Sequence, residues 1–310
     1  MLKETITKMT QGNLGILAAD ESVATITKRF QEHGIPTTPE SRFQYRKMLL
    51  SSDNLSKYIS SVILHEETLT QMGSYCSELG IIPGIKVDLG LMDYNGHKVT
   101  KGIDVLSERL PNFKSLGARF CKWRAVYSVT ESAPVAWEIN ATGLAMYARI
   151  CQQHDLVPIV EPEILLQGDY SIEQAIKAHQ IILSETFEKL SKHDVNVANI
   201  ILKPSMVLPG SLHSEQVSDQ KIAEATVSTF LKVVPHDVPS INFLSGGQSP
   251  EQATSRLKAI QEYSATNDSP FRFSFSYARA LQEPSMKLFA SNKIKEAQFA
   301  LIERSTANTE

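Results

Sequence analysis

Cysteine is scarce in this sequence: 310 residues carry three, Cys76, Cys121 and Cys151. The number is odd and no pair has metal-ligand spacing, which argues against a disulfide framework and against a zinc site. Reduced thiols fit a cytoplasmic protein. Long apolar runs are also lacking. No uninterrupted stretch approaches the roughly 20 residues that cross a bilayer, and the N-terminal MLKETITKMTQGN has no apolar core of the secretory kind. Nor is there an excess of one charge. The net charge of −3 gives no reason to expect nucleic acid or an anionic membrane as the main partner. The eight histidines are scattered, with no H-E-x-x-H pair. Each reads as a surface or packing residue, and no metal is expected.

What the sequence does have is a series of short apolar runs. Eight read as strands: 15–20, 59–65, 81–88, 118–124, 157–164, 200–202, 240–247 and 271–279. Helical segments fall between most of them: 22–33, 40–50, 66–78, about 133–154, 172–193, 219–233 and 250–263. Ile103, Leu106, Leu110 and Phe113 recur at helical spacing, with Pro111 as a blemish. Ile139, Gly143, Met146 and Ile150 suggest the apolar stripe of the 133–154 helix. Ile176, Ile181, Leu183, Phe187 and Leu190 suggest that of the next. Tyr94 to Lys101 reads as a polar loop. Alternating β and α elements favour a parallel sheet. Eight such units in about 300 residues favour a closed (β/α)8 TIM barrel over an open doubly wound sheet, which composition alone leaves open. The expectation is one α/β catalytic domain over residues 1–310, with a short N-terminal helix at 2–9 and a largely helical C-terminal segment.

Most runs end on a reactive polar group: Asp20, Lys86 with Asp88, Lys122 with Arg124, Glu161 with Glu163, Lys203, Ser245, and Ser276 with Arg279. In a barrel these C-terminal ends meet at one face, where active sites are built. Wet strand ends explain one or two such residues but not the set. Lys203, in NIILKPSM, ends a buried run, where an unpaired lysine is out of place. It is either a snorkelling edge residue or a nucleophile. A nucleophilic amine must be neutral, so Lys203 needs desolvation or a neighbouring cation, for which Lys122 is the candidate. In LSGGQS, Gly246 and Gly247 follow a strand and let backbone N–H groups approach an anion. Together with Arg279 they suggest a phosphate clamp.

At these residues the chain closely resembles the class I, Schiff-base-forming fructose-1,6-bisphosphate aldolases. The motifs are GILAADES (15–22), GIKVD (84–88), KWR (122–124), PIVEPEIL (158–165), LKPSM (202–206), FLSGGQS (243–249) and FSYARAL (275–281). The resemblance runs from about residue 12 to 282 and implies the (β/α)8 barrel. It implies that Lys203 forms the imine with the ketose C2, that Glu161 handles the carbinolamine, and that Glu163 is its companion carboxylate. Lys122 corresponds to the cation beside the nucleophile and Asp20 to the base that takes the C4 hydroxyl proton. Ser245, Gly246, Gly247 and Arg279 correspond to the C1-phosphate site, with Ser276 on the same strand exit. Ser22, Thr25, Lys86 and Arg124 correspond to residues toward the C6-phosphate. It further implies a phosphorylated sugar substrate, no cofactor, a place in glycolysis or gluconeogenesis, and a homo-oligomer, often a tetramer.

Some features depart from the family pattern. Thr25 stands where muscle-type members have serine, and Ala278 replaces a glycine near the C1-phosphate. His65 and Glu66 depart from the usual ending of the second strand. Animal members close on a C-terminal tyrosine that assists proton exchange on the enamine. The sequence ends at Glu310 without it, so a different or slower proton-transfer step is expected. A transaldolase, a sedoheptulose-bisphosphate aldolase and a non-catalytic scaffold are the competing readings. The presence of Lys203 and Glu161 disfavours the scaffold, and sugar chain length is not readable.

Overall fold

The computed structural model describes residues 1–130 and 133–310. The strands in chain order are β1 (Gly15–Ala19), β2 (Ile59–Leu64), β3 (Ile82–Lys86), β4 (Leu91–Tyr94), β5 (His97–Thr100), β6 (Phe120–Tyr127), β7 (Val157–Ile164), β8 (Ile201–Leu202), β9 (Ile241–Phe243) and β10 (Phe273–Tyr277). Eight of them pair in parallel and close in the order β1-β10-β9-β8-β7-β6-β3-β2, with β1 hydrogen-bonded to β2. These eight are the eight expected runs, and the fold is the (β/α)8 barrel. Strands buried on both faces need nearly continuous apolar sequence, which is why runs and not alternation marked them.

The helices are α1 (Leu2–Met9), α2 (Val23–Glu32), α3 (Pro39–Leu50), α4 (Glu66–Glu78), α5 (Leu106–Ser115), α6 (Pro134–Gln153), α7 (Ile172–Lys192), α8 (Asp219–Val233), α9 (Pro250–Thr266), α10 (Arg279–Ala290) and α11 (Ile294–Ala307). Inside the barrel, Ile16, Ala18, Ile63, Phe120, Val157, Ile159 and Ile201 pack together, and Ile6 and Met9 of α1 cover them from below. A larger apolar shell joins the outside of the strands to the helices. The barrel interior is thus largely hydrocarbon toward its N-terminal end, where Ser60, Ser240, Asn242 and Ser274 are buried in hydrogen bonds, and the charged strand exits collect at the other end.

Three expectations need correction. Residues 94–101 are not a plain loop: β4 and β5 form an antiparallel hairpin. Asn95 and Gly96 turn it with φ of +51° and +83°, the left-handed pair that a two-residue hairpin requires. The α6 stripe is misplaced. Ile139 and Met146 are exposed, and the helix buries Ala136, Asn140, Leu144, Tyr147, Ala148 and Cys151 instead. Small alanines let α6 lie close to the strands. Asn140 faces inward because its side chain accepts from Thr100 N and donates to Lys98 O and Val126 O. On α7, Ile181 is likewise exposed. Pro111, by contrast, sits within α5 without ending it.

Candidate active site

Register places the exits at one level. Ala19 of β1 lies beside Leu64 of β2, Leu64 beside Ile85 of β3, and Lys86 beside Lys122 of β6. Side chains alternate along a strand. Because Ala18 and Ile63 point into the barrel, Asp20 and His65, two residues on, point inward as well. The same alternation carries Ile159 to Glu161 and Ile201 to Lys203.

These inward groups form a continuous charged chain. Lys122 Nζ lies 2.7 Å from Asp20 Oδ2 and 3.1 Å from Glu161 Oε2. The other Glu161 oxygen, Oε1, lies 3.1 Å from Lys203 Nζ. Asp20, Lys122, Glu161 and Lys203 are all buried. The Lys122–Glu161 approach is electrostatic without hydrogen-bond alignment, leaving Oε2 buried with no hydrogen bond. Burial alone would push the Asp20 carboxyl up, but Lys122, Lys203 and Lys86 outweigh it and hold Asp20 down at about 2. Burial would likewise lower Lys122. Asp20, Glu161 and Asp88 prevail and keep its ammonium charged, well above the ordinary lysine range. Lys122 is thus a fixed cation between two carboxylates, and Lys203 shares only Glu161.

A second set lies outward of the first. Arg124 pairs with Glu163; burial opposes the guanidinium charge, but Glu163 holds it strongly protonated. Lys86 turns to Asp88, with Nζ 2.5 Å from Oδ1 and 2.8 Å from the Asp88 carbonyl. Ser22 caps α2: its Oγ accepts from Thr25 N at 3.3 Å and lies 3.0 Å from Thr25 Oγ1. Gly246 and Gly247 have φ of +51° and +88°. A Cβ placed on Gly247 would stand 4.0 Å from Arg279 Nη2, so the turn and the arginine share one wall. Ser245 and Ser276 are buried beside it, and Ser276 Oγ has no partner.

A cleft of about 610 Å³ is lined by Thr25, Arg124, Gly247 and Arg279 together. It thus joins residues assigned to opposite phosphate ends. Ser22, Lys86, Ser245 and Ser276 do not line it. Lys28 does, one turn beyond Thr25 on α2, and it was not anticipated; its i+3 spacing from Thr25 was the available signal. The sequence reads His65 as a surface or packing residue, yet it directly follows β2 in the inward register, at the start of α4, with its Nδ1 buried and unpartnered. Glu21 was missed too. It is gripped by Arg29 at 2.5 Å and by Gln282 Nε2 at 3.1 Å, which fixes the segment carrying Asp20. Gln282 Nε2 also donates to Ala18 O at 2.6 Å.

A closed parallel barrel with a lysine–carboxylate–lysine cluster at its C-terminal face is the architecture of a TIM-barrel enzyme, with the cluster where such enzymes carry their active sites. The family model of class-I fructose-bisphosphate aldolases matches residues 1–310. A probable class 1 fructose-bisphosphate aldolase of Xanthomonas campestris is 41% identical over 99% of this chain and 96% of that protein. A cytosolic fructose-bisphosphate aldolase of Arabidopsis thaliana is 41% identical over 96% of this chain and 78% of that one. The solved Plasmodium falciparum fructose-bisphosphate aldolase, crystallised with TRAP and a small-molecule inhibitor, superposes with a TM-score of 0.96. It is 40% identical, over 99% of this chain and 92% of that one. The chain belongs to the class I fructose-bisphosphate aldolase family.

Proposed function

We propose that this chain, acting as one catalytic domain, cleaves fructose 1,6-bisphosphate reversibly to dihydroxyacetone phosphate and glyceraldehyde 3-phosphate through an imine on Lys203. The observation that supports this most is the Glu161 carboxylate shared between Lys203 and Lys122. With Lys122 fixed as a cation, Lys203 is the amine that can give its proton to Glu161 and attack C2. Glu161 then returns a proton to the carbinolamine hydroxyl, which leaves as water and gives the protonated imine. Asp20, held ionised, accepts the C4 hydroxyl proton. The C3–C4 bond breaks, its electron pair moves into the iminium, and the enamine remains on Lys203 as the aldehyde departs. Protonation at C3 and hydrolysis release the second product and the free amine.

Glu163 orients Arg124 toward the cleft. Ser245, Gly246, Gly247, Ser276 and Arg279 take the C1-phosphate, and Ser22, Thr25, Lys86 and Arg124 lie toward the C6-phosphate. Lys86 must exchange its Asp88 contact for the ligand to do so. The reading places the protein in the cytoplasm, in glycolysis and gluconeogenesis. Cytosolic relatives support the compartment. The homo-oligomer remains part of the proposal, and the exposed Val135, Ile139 and Met146 offer apolar surface for it.

Borohydride trapping tests the mechanism. The protein is incubated with dihydroxyacetone phosphate and EDTA, reduced, digested and mapped by mass spectrometry. A reduced adduct on Lys203 is expected. No adduct, together with cleavage abolished by EDTA, would overturn the imine mechanism.

A further inference from the structure

The Ser245–Gly247 turn is held by Gln248, which itself lines the cleft, and behind it by Arg256, which does not. Gln248, which follows the turn, is buried. Its Nε2 donates to Ser245 O at 3.0 Å and lies 3.8 Å from Met206 Sδ. Its Oε1 accepts from Arg256 Nη1 at 2.9 Å. Arg256, on α9, is anchored in turn by Asp219 at the start of α8, with Nε donating to Oδ1 at 3.2 Å. Arg256 lines a separate cleft of about 280 Å³ on the far side of Gly247 and Gln248.

Two adjacent glycines with positive φ have little intrinsic preference for one geometry. Something outside the turn must select it. A carboxamide can present either its oxygen or its nitrogen to a neighbour, but a guanidinium only donates. Arg256 therefore forces Oε1 toward itself and turns Nε2 onto Ser245 O. We propose that Arg256 is a positioning residue for the phosphate end of the substrate, acting through Gln248 to hold the Ser245–Gly247 turn in its anion-receiving shape. The proposal rests on the phosphate reading of that turn given above.

The test uses the full chain, with kcat and KM for fructose 1,6-bisphosphate cleavage and the inhibition constant of inorganic phosphate. Arg256→Met is expected to raise KM and the phosphate constant about fivefold to tenfold while kcat stays within about twofold; Arg256→Lys should recover part of the loss. If Arg256→Met fails to fold, Asp219→Ala, which frees the arginine from its anchor, should show the same split at smaller size. Unchanged constants would overturn the proposal. So would a fall in kcat that tracks a lowered Tm, because that is the mark of a merely structural residue. Arg279→Ala separates the two layers of the argument. If it weakens phosphate inhibition while Arg256→Met does not, the positioning role alone fails. If it changes nothing, the phosphate reading fails and takes the positioning role with it.

Discussion

At the N-terminal end of the barrel, Arg272 donates to Gly12 O at 3.0 Å, to Leu14 O at 2.7 Å and to Ser240 Oγ at 2.6 Å. Burial pushes its guanidinium down to about 10. Ser60 Oγ nearby donates to Met9 O at 2.8 Å and ties α1 across the barrel floor. At the C-terminal end the buried polar atoms are treated differently. Among the described residues, His65 Nδ1, Asp88 Oδ2, Glu161 Oε2 and Ser276 Oγ are buried there with no hydrogen-bond partner. A buried polar atom without a partner costs about 1–3 kcal/mol. One end uses its polar groups to close the barrel, and the other holds them available. The difference teaches where stability and where chemistry were built, and substitutions at each end should separate the two.

The largest effect should come from Lys203→Met. Turnover is expected to fall by more than about a thousandfold, since no other amine occupies the Lys203 position beside Glu161. Tm should change little, because Glu161 keeps Lys122. Steady-state kinetics and thermal melting check the pair. A large loss of Tm would mean that the C-terminal end is structural after all.

Lys122→Met should cost stability as well as turnover. It leaves Asp20 and Glu161 as buried carboxylates without their shared cation. Breaking a buried pair in this way costs about 3–5 kcal/mol. Denaturant unfolding at neutral pH should show the loss along with lost turnover. A variant of wild-type stability would mean that water already screens this cluster.

Acid titration probes the same cluster from the proton side. Asp20 is held at about 2 against an ordinary 3.8, so the fold favours its charged form. The stabilisation is present above the unfolded value and is lost as pH falls from about 4 toward 2, to the extent of about 2 kcal/mol. Asp20→Asn should therefore flatten that stretch of the stability curve. An unchanged acid limb would show that other carboxylates govern it.

The barrel and its charged exits were legible in the sequence for one reason: Asp20, Lys86, Lys122, Glu161 and Lys203 each interrupt an apolar run at its end. Polarity marks residues 94–101 as a loop, while the hairpin's signal is the Asn95–Gly96 turn. The α6 stripe misled because its large apolar residues face out and its buried face is mostly alanine. Metal-ligand spacing does not reveal His65; the signal that places it is alternation from Ile63. The clamp of Asp219, Arg256 and Gln248 joins two helices and a loop, and no local spacing announces such a meeting.

The smallest effect gives the finest comparison, because it lies within one strand. Ser274 and Ser276 are two apart on β10, so they share a face. Both are buried. Ser274 Oγ donates to Leu14 O at 3.1 Å, on the side of the barrel floor. Ser276 Oγ has no partner and lies toward the exit. Ser274→Ala should cost about 1 kcal/mol by removing one of the two donors to the Leu14 carbonyl, which keeps Arg272, with kcat and KM unchanged. Ser276→Ala should raise stability by about 1 kcal/mol, because it removes a buried hydroxyl that satisfies nothing in the protein. It should raise KM about threefold to tenfold if that hydroxyl bonds the substrate. Chemical denaturation and steady-state kinetics on both variants decide the matter. Were both serines to affect only stability, the boundary between the structural and the chemical end would lie beyond residue 276, and Ser276 would leave the proposed phosphate site.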